Sequence, residues 1–288
     1  MRLPTQLLRR KPDSHKGDYG HILVIAGSSR FSGAAVLTAK AAMRSGAGLV
    51  TIALPKGINN AVIKIKPLEV MTLPLLQTVQ GSISYASRHV LKGFIATVDV
   101  VVVGPGLGRE KSTQRLIRSL VLSVRKPLVI DADGLNALDE NPAFIAHGAV
   151  KRSVTVVTPH GGEMARLKGC SINKILLARK EVAKSFSNDY NCITVLKGHR
   201  TIVASPQGEL YINRTGNPGM ATAGAGDVLS GMIAAFIGQG IGGFEATKAA
   251  VYLHGLAGDI AFRRRTAMGL IASDIIDSIP EALQQSFS

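Results

Sequence analysis

The chain has 288 residues, 46% apolar and only 5% aromatic, with 31 glycines, two cysteines and no tryptophan. That length holds one large domain or two small ones with a core of ordinary size, and the Val, Ile, Ala and Gly content is that of α/β proteins with parallel strands buried on both faces. Cys170 and Cys192 lack any CxxC partner, which excludes a disulfide framework, and a net charge of +15 comes from scattered basic residues rather than from a nucleic-acid-reading pattern.

The first twenty residues are polar and basic and are expected to lie along the surface; no apolar stretch follows them as in a signal peptide. No segment reaches the roughly 18 apolar residues of a membrane span. A soluble cytoplasmic protein is expected, without nucleic-acid or membrane partners. Residues 21–26 form a short apolar run between Gly20 and Gly27, read as a buried strand. A small-residue loop at 27–33, a helix over 34–44 and a strand over 49–54 complete a strand–helix–strand unit, which implies a parallel pair. The segment 55–97 carries no clear pattern. Strands follow at 98–103, 127–133, 155–160 and 193–198, with helices over 110–124 and within 174–187. A hairpin joins 201–204 to 209–212 across Ser205-Pro206-Gln207-Gly208, and helices near 227–237, 244–263 and 273–285 finish the chain. No linker or repeat divides it, so residues 1–288 read as one α/β domain, a mainly parallel central sheet with helices on both faces. In such sheets ligands sit beyond the carboxyl ends of the strands. That places loops 27–33, 104–108, 131–136, 158–163, 197–201 and 217–227 on one edge.

The last of these loops, Asn217-Pro218-Gly219-Met220-Ala221-Thr222-Ala223-Gly224-Ala225-Gly226-Asp227, enters an apolar helix beginning near Asp227. Free N–H groups and the positive end of a helix make an anion site, and glycines let a phosphate approach the main chain. An acid there would repel a phosphate, so Asp227 makes chemical sense as a base for a hydroxyl beside it; the alternative is an Asp that only caps the helix. Gly104-Pro105-Gly106-Leu107-Gly108-Arg109 has part of a dinucleotide fingerprint, with Asp131 as a ribose partner, but Arg109 occupies the sixth position and the fingerprint is incomplete. Asp131 and Asp133, two apart at a strand end, are expected on one face, where they either hold a hydrated Mg²⁺ or cap the following turn. His160 and Glu163 offer no zinc pattern, and a capping role is open to Glu163. Lys197, Gly198, His199, Arg200 and Thr201 suit an adenine nucleotide, as they also suit a plain hairpin turn.

Taken with Lys16-Gly17-Asp18-Tyr19-Gly20, Phe31-Ser32-Gly33-Ala34-Ala35, Asp131-Ala132-Asp133-Gly134-Leu135-Asn136 and Thr158-Pro159-His160-Gly161-Gly162-Glu163, these stretches resemble the ribokinase-like NAD(P)H-hydrate dehydratases. The resemblance runs from about Lys11 to the last helix. It implies an ADP- or ATP-dependent hydro-lyase of metabolite repair, with ADP the expected donor, acting on hydrated NADH and NADPH. The ring hydroxyl is phosphorylated and phosphate then leaves. It further implies Asp227 as catalytic base. Ala35, Gly106, His160 and Asp227 would touch the hydrated dinucleotide. Lys197, Gly198, His199, Arg200, Thr201, Asn217, Gly224, Ala225 and Gly226 would hold the nucleotide, and Glu163 would order Mg²⁺ through water. Ala225 departs from the Ser or Thr common at its position, which removes one side-chain oxygen and leaves the backbone donors. A homotetramer is expected. Since 288 residues leave no room for the epimerase half of bifunctional members, a separate epimerase is expected as functional partner. The alternative is a kinase of the same fold acting on a vitamin-precursor alcohol; such kinases carry Asn where this chain has His160 and lack the signatures at 16–20 and 31–35.

Overall fold

The short runs of Val, Ile and Leu become strands because branched side chains suit a surface packed on both sides. In the computed structural model, which describes residues 3–7, 9–139, 141–150 and 152–286, nine strands form one sheet. Residues 1, 2 and 8 of the amino-terminal stretch lie outside the described residues.

The chain runs β1 His21–Ile25, α1 Ser32–Arg44, β2 Leu49–Pro55, α2 Lys56–Ile65, β3 Met71–Leu75, α3 Arg88–Ile95, β4 Val100–Val103 and α4 Lys111–Ser123. It continues through β5 Leu128–Ile130, α5 Asp133–Asn136, α6 Ala143–Ala149, β6 Thr155–Val157, α7 Gly161–Leu167, α8 Ile172–Leu177 and α9 Arg179–Tyr190. β7 Ile193–Leu196, β8 Ile202–Ala204, β9 Leu210–Ile212, α10 Ala225–Gly238, α11 Gly243–Arg265 and α12 Ala272–Gln285 complete it. The sheet order is β3-β2-β1-β4-β5-β6-β7-β8-β9. Pairing is parallel from β3 to β7, and β8 and β9 close the far edge as an antiparallel pair.

Alternation along each strand feeds two cores. Ile22 and Val24 of β1 face a layer with residues of α1, α10, α11 and α12, while Leu23 and Ile25 face one with residues of α4, α7 and α9. The chain leaves β1 toward β2 and β3 and then returns to β1's other side as β4, so strand order reverses between β1 and β4. A cleft opens at the carboxyl ends of strands at such a reversal.

Four expectations need correction. The segment 55–97 holds α2, β3 and α3. The helix expected within 174–187 is two, with a break at Ala178 (φ −129°). α10 begins at Ala225, capped by Gly224 in a left-handed conformation (φ 89°), so Asp227 is the third helical residue and not the cap. β5 stops at Ile130, and Ala132 turns through φ 48°, so Asp131 and Asp133 are not strand neighbours on one face.

Candidate functional site

At the reversal point the first loops close on one another. Gly27 donates its N–H to the Pro105 carbonyl at 2.8 Å, joining the ends of β1 and β4. Gly106 (φ 63°) lies so close to Phe31 and Ala34 that an added Cβ would sit 2.7 Å from the Phe31 carbonyl oxygen. The loops at 31–35 and 104–108 are therefore packed directly against one another at the carboxyl edge of the sheet. Ala35 is fully buried in the first turns of α1, behind Gly27, and brings small size to that packing rather than a contact surface.

Deeper in, Asp131 ties three elements together. Its Oδ1 accepts from the Lys197 ammonium at 2.7 Å and from the Ala132 N–H at 2.8 Å, and its Oδ2 accepts from the Ser230 hydroxyl at 2.7 Å. With 1% of its surface exposed and both oxygens engaged, Asp131 has nothing to offer a ribose, which disposes of the dinucleotide-fingerprint reading. Asp133 accepts from the Gly108 N–H at 2.8 Å and from the Asn136 amide at 3.0 Å, the capping role left open by the sequence. Ser230 was not among the residues singled out. It lies one turn after Gly226 on the same helix face, a spacing that could have revealed it.

Asp227 stands beside this group, half-buried, with its carboxyl 3.9 Å from where a Cβ on Gly224 would lie. Burial pushes its pKa up to about 7; the charges of Asp131 and Asp133 push the same way, and Lys197 pulls against them. A carboxyl with a pKa near neutrality in the first turn of a helix is matched to taking a proton from a weakly acidic hydroxyl. Burial works against the Lys197 charge, but Asp131, Glu163 and Asp227 outweigh it and raise its pKa, so the ammonium stays charged. An added Cβ on Gly226 would stand 3.3 Å from that ammonium.

His160 and Glu163 form a capping box at the start of α7. The His160 Nδ1 accepts from the Gly162 and Glu163 N–H groups at 3.0 and 3.2 Å, and Glu163 Oε2 accepts from the His160 N–H at 2.8 Å. Those bonds engage Nδ1, while Nε2 lies 3.4 Å from Glu163 Oε1 on a side chain that is exposed. Glu163 is buried, with Oε2 3.9 Å from Lys197, and so faces both the ring and the ammonium. Among the described residues no three His, Cys, Asp or Glu side chains converge as a ready-made cation cage. A cation here would have to rest mainly on phosphate oxygens and water rather than on a protein cage.

The loop at 197–201 bends through Gly198 (φ 138°) and Arg200 (φ 54°), leaving Gly198, His199 and Arg200 exposed. Arg179 of α9 fixes its course by donating to the carbonyls of Leu196 at 3.1 Å and of His199, and the Thr201 hydroxyl donates to the Gly198 carbonyl at 3.0 Å. Asn217 accepts from the Gly219 N–H at 3.0 Å, while Asp259 of α11 accepts from the Asn217 amide and the Gly216 N–H, both at 2.9 Å. Arg179 and Asp259 act from helices distant in sequence, and no local motif marks them.

Comparison with known proteins shows the family. The family described as NAD(P)H-hydrate dehydratase matches residues 22–281. The Moorella thermoacetica bifunctional NAD(P)H-hydrate repair enzyme Nnr is 44% identical over 97% of this chain and 52% of its own length, so the chain spans about half of that curated relative. The Neisseria meningitidis ADP-dependent (S)-NAD(P)H-hydrate dehydratase is 36% identical over 96% of this chain and 88% of its own. The crystal structure of the Bacillus subtilis ADP/ATP-dependent NAD(P)H-hydrate dehydratase, co-crystallized with ATP and Mg²⁺, superposes with a TM-score of 0.79 at 29% identity, covering 96% of this chain and 94% of the other.

Proposed function

Because the chain belongs to the NAD(P)H-hydrate dehydratase family and has its ribokinase-like α/β fold, we propose that it converts (6S)-hydrated NADH and NADPH to NADH and NADPH, with ADP or ATP as phosphate donor. The observation that carries this reading is Asp227, a carboxyl tuned to about pH 7 in the first turn of a helix whose amino end is bare glycine and alanine backbone.

Asp227 takes the proton of the ring hydroxyl. The freed oxygen forms a bond to the terminal phosphorus of the nucleotide, and the bond from that phosphorus to its bridging oxygen breaks, leaving AMP from ADP. Phosphate then departs with the electrons of the ring C–O bond, and loss of a neighbouring ring proton restores the double bond. The N–H groups of Gly224, Ala225 and Gly226 receive the charge that builds on the transferred group, which is most of what phosphoryl transfer asks of a protein. Ala225 serves through its backbone, so the absent side-chain oxygen leaves activity in place. Mg²⁺, when bound, would neutralise phosphate charge. Residues 197–201 and Asn217 hold the nucleotide, and Gly106, Ala35 and His160 shape the dinucleotide end. We extend the reading to residues 1–288 as one domain, a homotetramer in the cytoplasm, and a separate epimerase that supplies the (6S) form.

With ADP or ATP and Mg²⁺, the purified protein is expected to restore the near-ultraviolet absorbance of NADH from its hydrate. Asp227→Asn is expected to lower the rate by about 10²–10⁴-fold with the fold intact by circular dichroism. A wild type inert on both epimers with either nucleotide overturns the proposal.

A further inference from the structure

β4, β5 and β6 are neighbours in the sheet, so the segments that leave their carboxyl ends, 104–109, 131–136 and 158–166, lie side by side. α5 belongs to the middle one. At a strand spacing of about 4.8 Å, the roots of the two outer segments stand roughly 10 Å apart across it. Gly106 and His160, the proposed dinucleotide contacts, are on those two outer segments. Each outer segment also carries an arginine to which the reaction gives no part, Arg109 and Arg166.

Both guanidinium groups are tied to α5. Arg166 is exposed, yet its Nη2 donates to Asn136 Oδ1 at 2.8 Å, and Asn136 is buried. The Asn136 amide donates in turn to Asp133 Oδ1 at 3.0 Å, and Asp133 Oδ2 accepts from the Gly108 N–H at 2.8 Å. Arg109 Nε lies 3.9 Å from the same Asp133 Oδ1. Asp133 and Asn136 are thus a polar bridge with an arginine at each end. Long side chains held in this way lose less freedom when a ligand arrives.

Neither arginine is spent on its partner. Asn136 is neutral, so it does not cancel the Arg166 charge. The Arg109–Asp133 contact is long, and the Arg109 side chain is 58% exposed, so the pair is worth little and the guanidinium stays open to solvent. Arg166 also shares a surface with His160. A Cβ on Gly162 would stand 3.9 Å from Arg166 Nη1 and 3.0 Å from His160 Cε1.

We propose that Arg109 and Arg166, one on either side of α5, clamp a phosphate of the hydrated dinucleotide and so hold the substrate by its non-reacting part. The proposal rests on the functional reading above and adds where the substrate's charge is held. A guanidinium presents paired N–H donors that match phosphate oxygens. The phosphate is the pyrophosphate common to both hydrated dinucleotides or the ribose 2′-phosphate of hydrated NADPH. Contacts to a remote group of this kind act on KM and leave kcat in place.

The test compares Arg109→Gln and Arg166→Gln with wild type in the full chain at constant ionic strength. Steady-state kinetics use each hydrate with saturating ADP and Mg²⁺, and equilibrium titrations use intact NADH and NADPH. Lys64→Gln, on the exposed last turn of α2, removes the same charge elsewhere. Each arginine variant is expected to raise KM for the hydrate and Kd for the dinucleotide about tenfold, with kcat and KM for ADP little changed. An effect on both dinucleotides identifies the pyrophosphate, and an effect confined to the NADPH series identifies the 2′-phosphate. Arg166→Lys keeps the charge but not the paired donors and is expected to recover only part of the loss. If Arg166→Gln loses stability with its bond to Asn136, Arg109→Gln decides alone. With an active wild type, KM unchanged in a folded arginine variant, or raised as much by Lys64→Gln, overturns the clamp and leaves the functional reading standing. A wild type that converts neither hydrate and binds neither dinucleotide overturns both.

Discussion

Asp227 carries its reactivity at a thermodynamic cost. Its pKa is about 7 in the folded chain against an ordinary 3.8, so the folded state keeps a proton in a window where the unfolded chain has lost it. Stability from this group is therefore greatest below pH 4 and falls as pH rises toward 7, where the buried carboxylate ionises against Asp131. Asp227→Asn removes that penalty. It is expected to be more stable than wild type at pH 8 by on the order of 1–2 kcal/mol after allowing for solvent screening of a half-buried group, with the gap gone at pH 4. Thermal melts at the two pH values check this, and equal melting temperatures at pH 8 would refute it. Catalysis moves the other way: kcat/KM should climb with pH through an apparent pKa near 7 and then level, as a base requires. The acid itself was legible in the sequence, because an Asp among helix-start glycines is chemically conspicuous. Its tuning was not, since Asp131, Asp133 and Lys197 reach it from other segments, and the expected strand alternation of Asp131 and Asp133 fails at the Ala132 turn.

α10 is held in place by its packing on α1. Gly231 meets the Thr38 carbonyl and Ala42 so closely that an added Cβ would overlap the carbonyl oxygen. In an isolated helix Gly→Ala would stabilise by about 1 kcal/mol. Here Gly231→Ala is expected to destabilise by about 1–3 kcal/mol by overpacking, and to raise KM for the nucleotide as the helix shifts. Denaturant melts give the sign; a stabilised variant would show that the two helices are not locked. Element recognition from sequence followed burial. β1, β2, β4 and β7 are buried apolar runs and were readable, as was the β8–β9 hairpin. β3 was not, because it is an edge strand, half exposed and interrupted by Pro74. α7 was hidden by Gly161 and Gly162, and its signal is the His160–Glu163 box, with His where Ser or Thr is usual. Nothing in the composition around Ala178 announces the break between α8 and α9.

Across the whole molecule, +15 of net charge surrounds a cleft proposed to take two anionic substrates. Such a field raises encounter rates and is screened by salt. Raising sodium chloride tenfold is expected to lower kcat/KM several-fold with kcat little changed; an unaltered kcat/KM would mean the charge serves another purpose. Among the described residues no helix is long and apolar enough to cross a membrane, as the sequence indicated. The overall architecture was legible because strand–helix alternation admits few topologies, and the loop inventory grouped the loops that leave the strands at their carboxyl ends. Asp131, finally, bonds to partners 66 and 99 residues away in the chain. A chain that has not brought those segments together cannot assemble that junction, so binding at the proposed nucleotide site is expected only in the fully folded chain. Nucleotide binding is accordingly expected to report on complete folding, with amides of the early strands gaining hydrogen-exchange protection from the nucleotide as much as those of the proposed site.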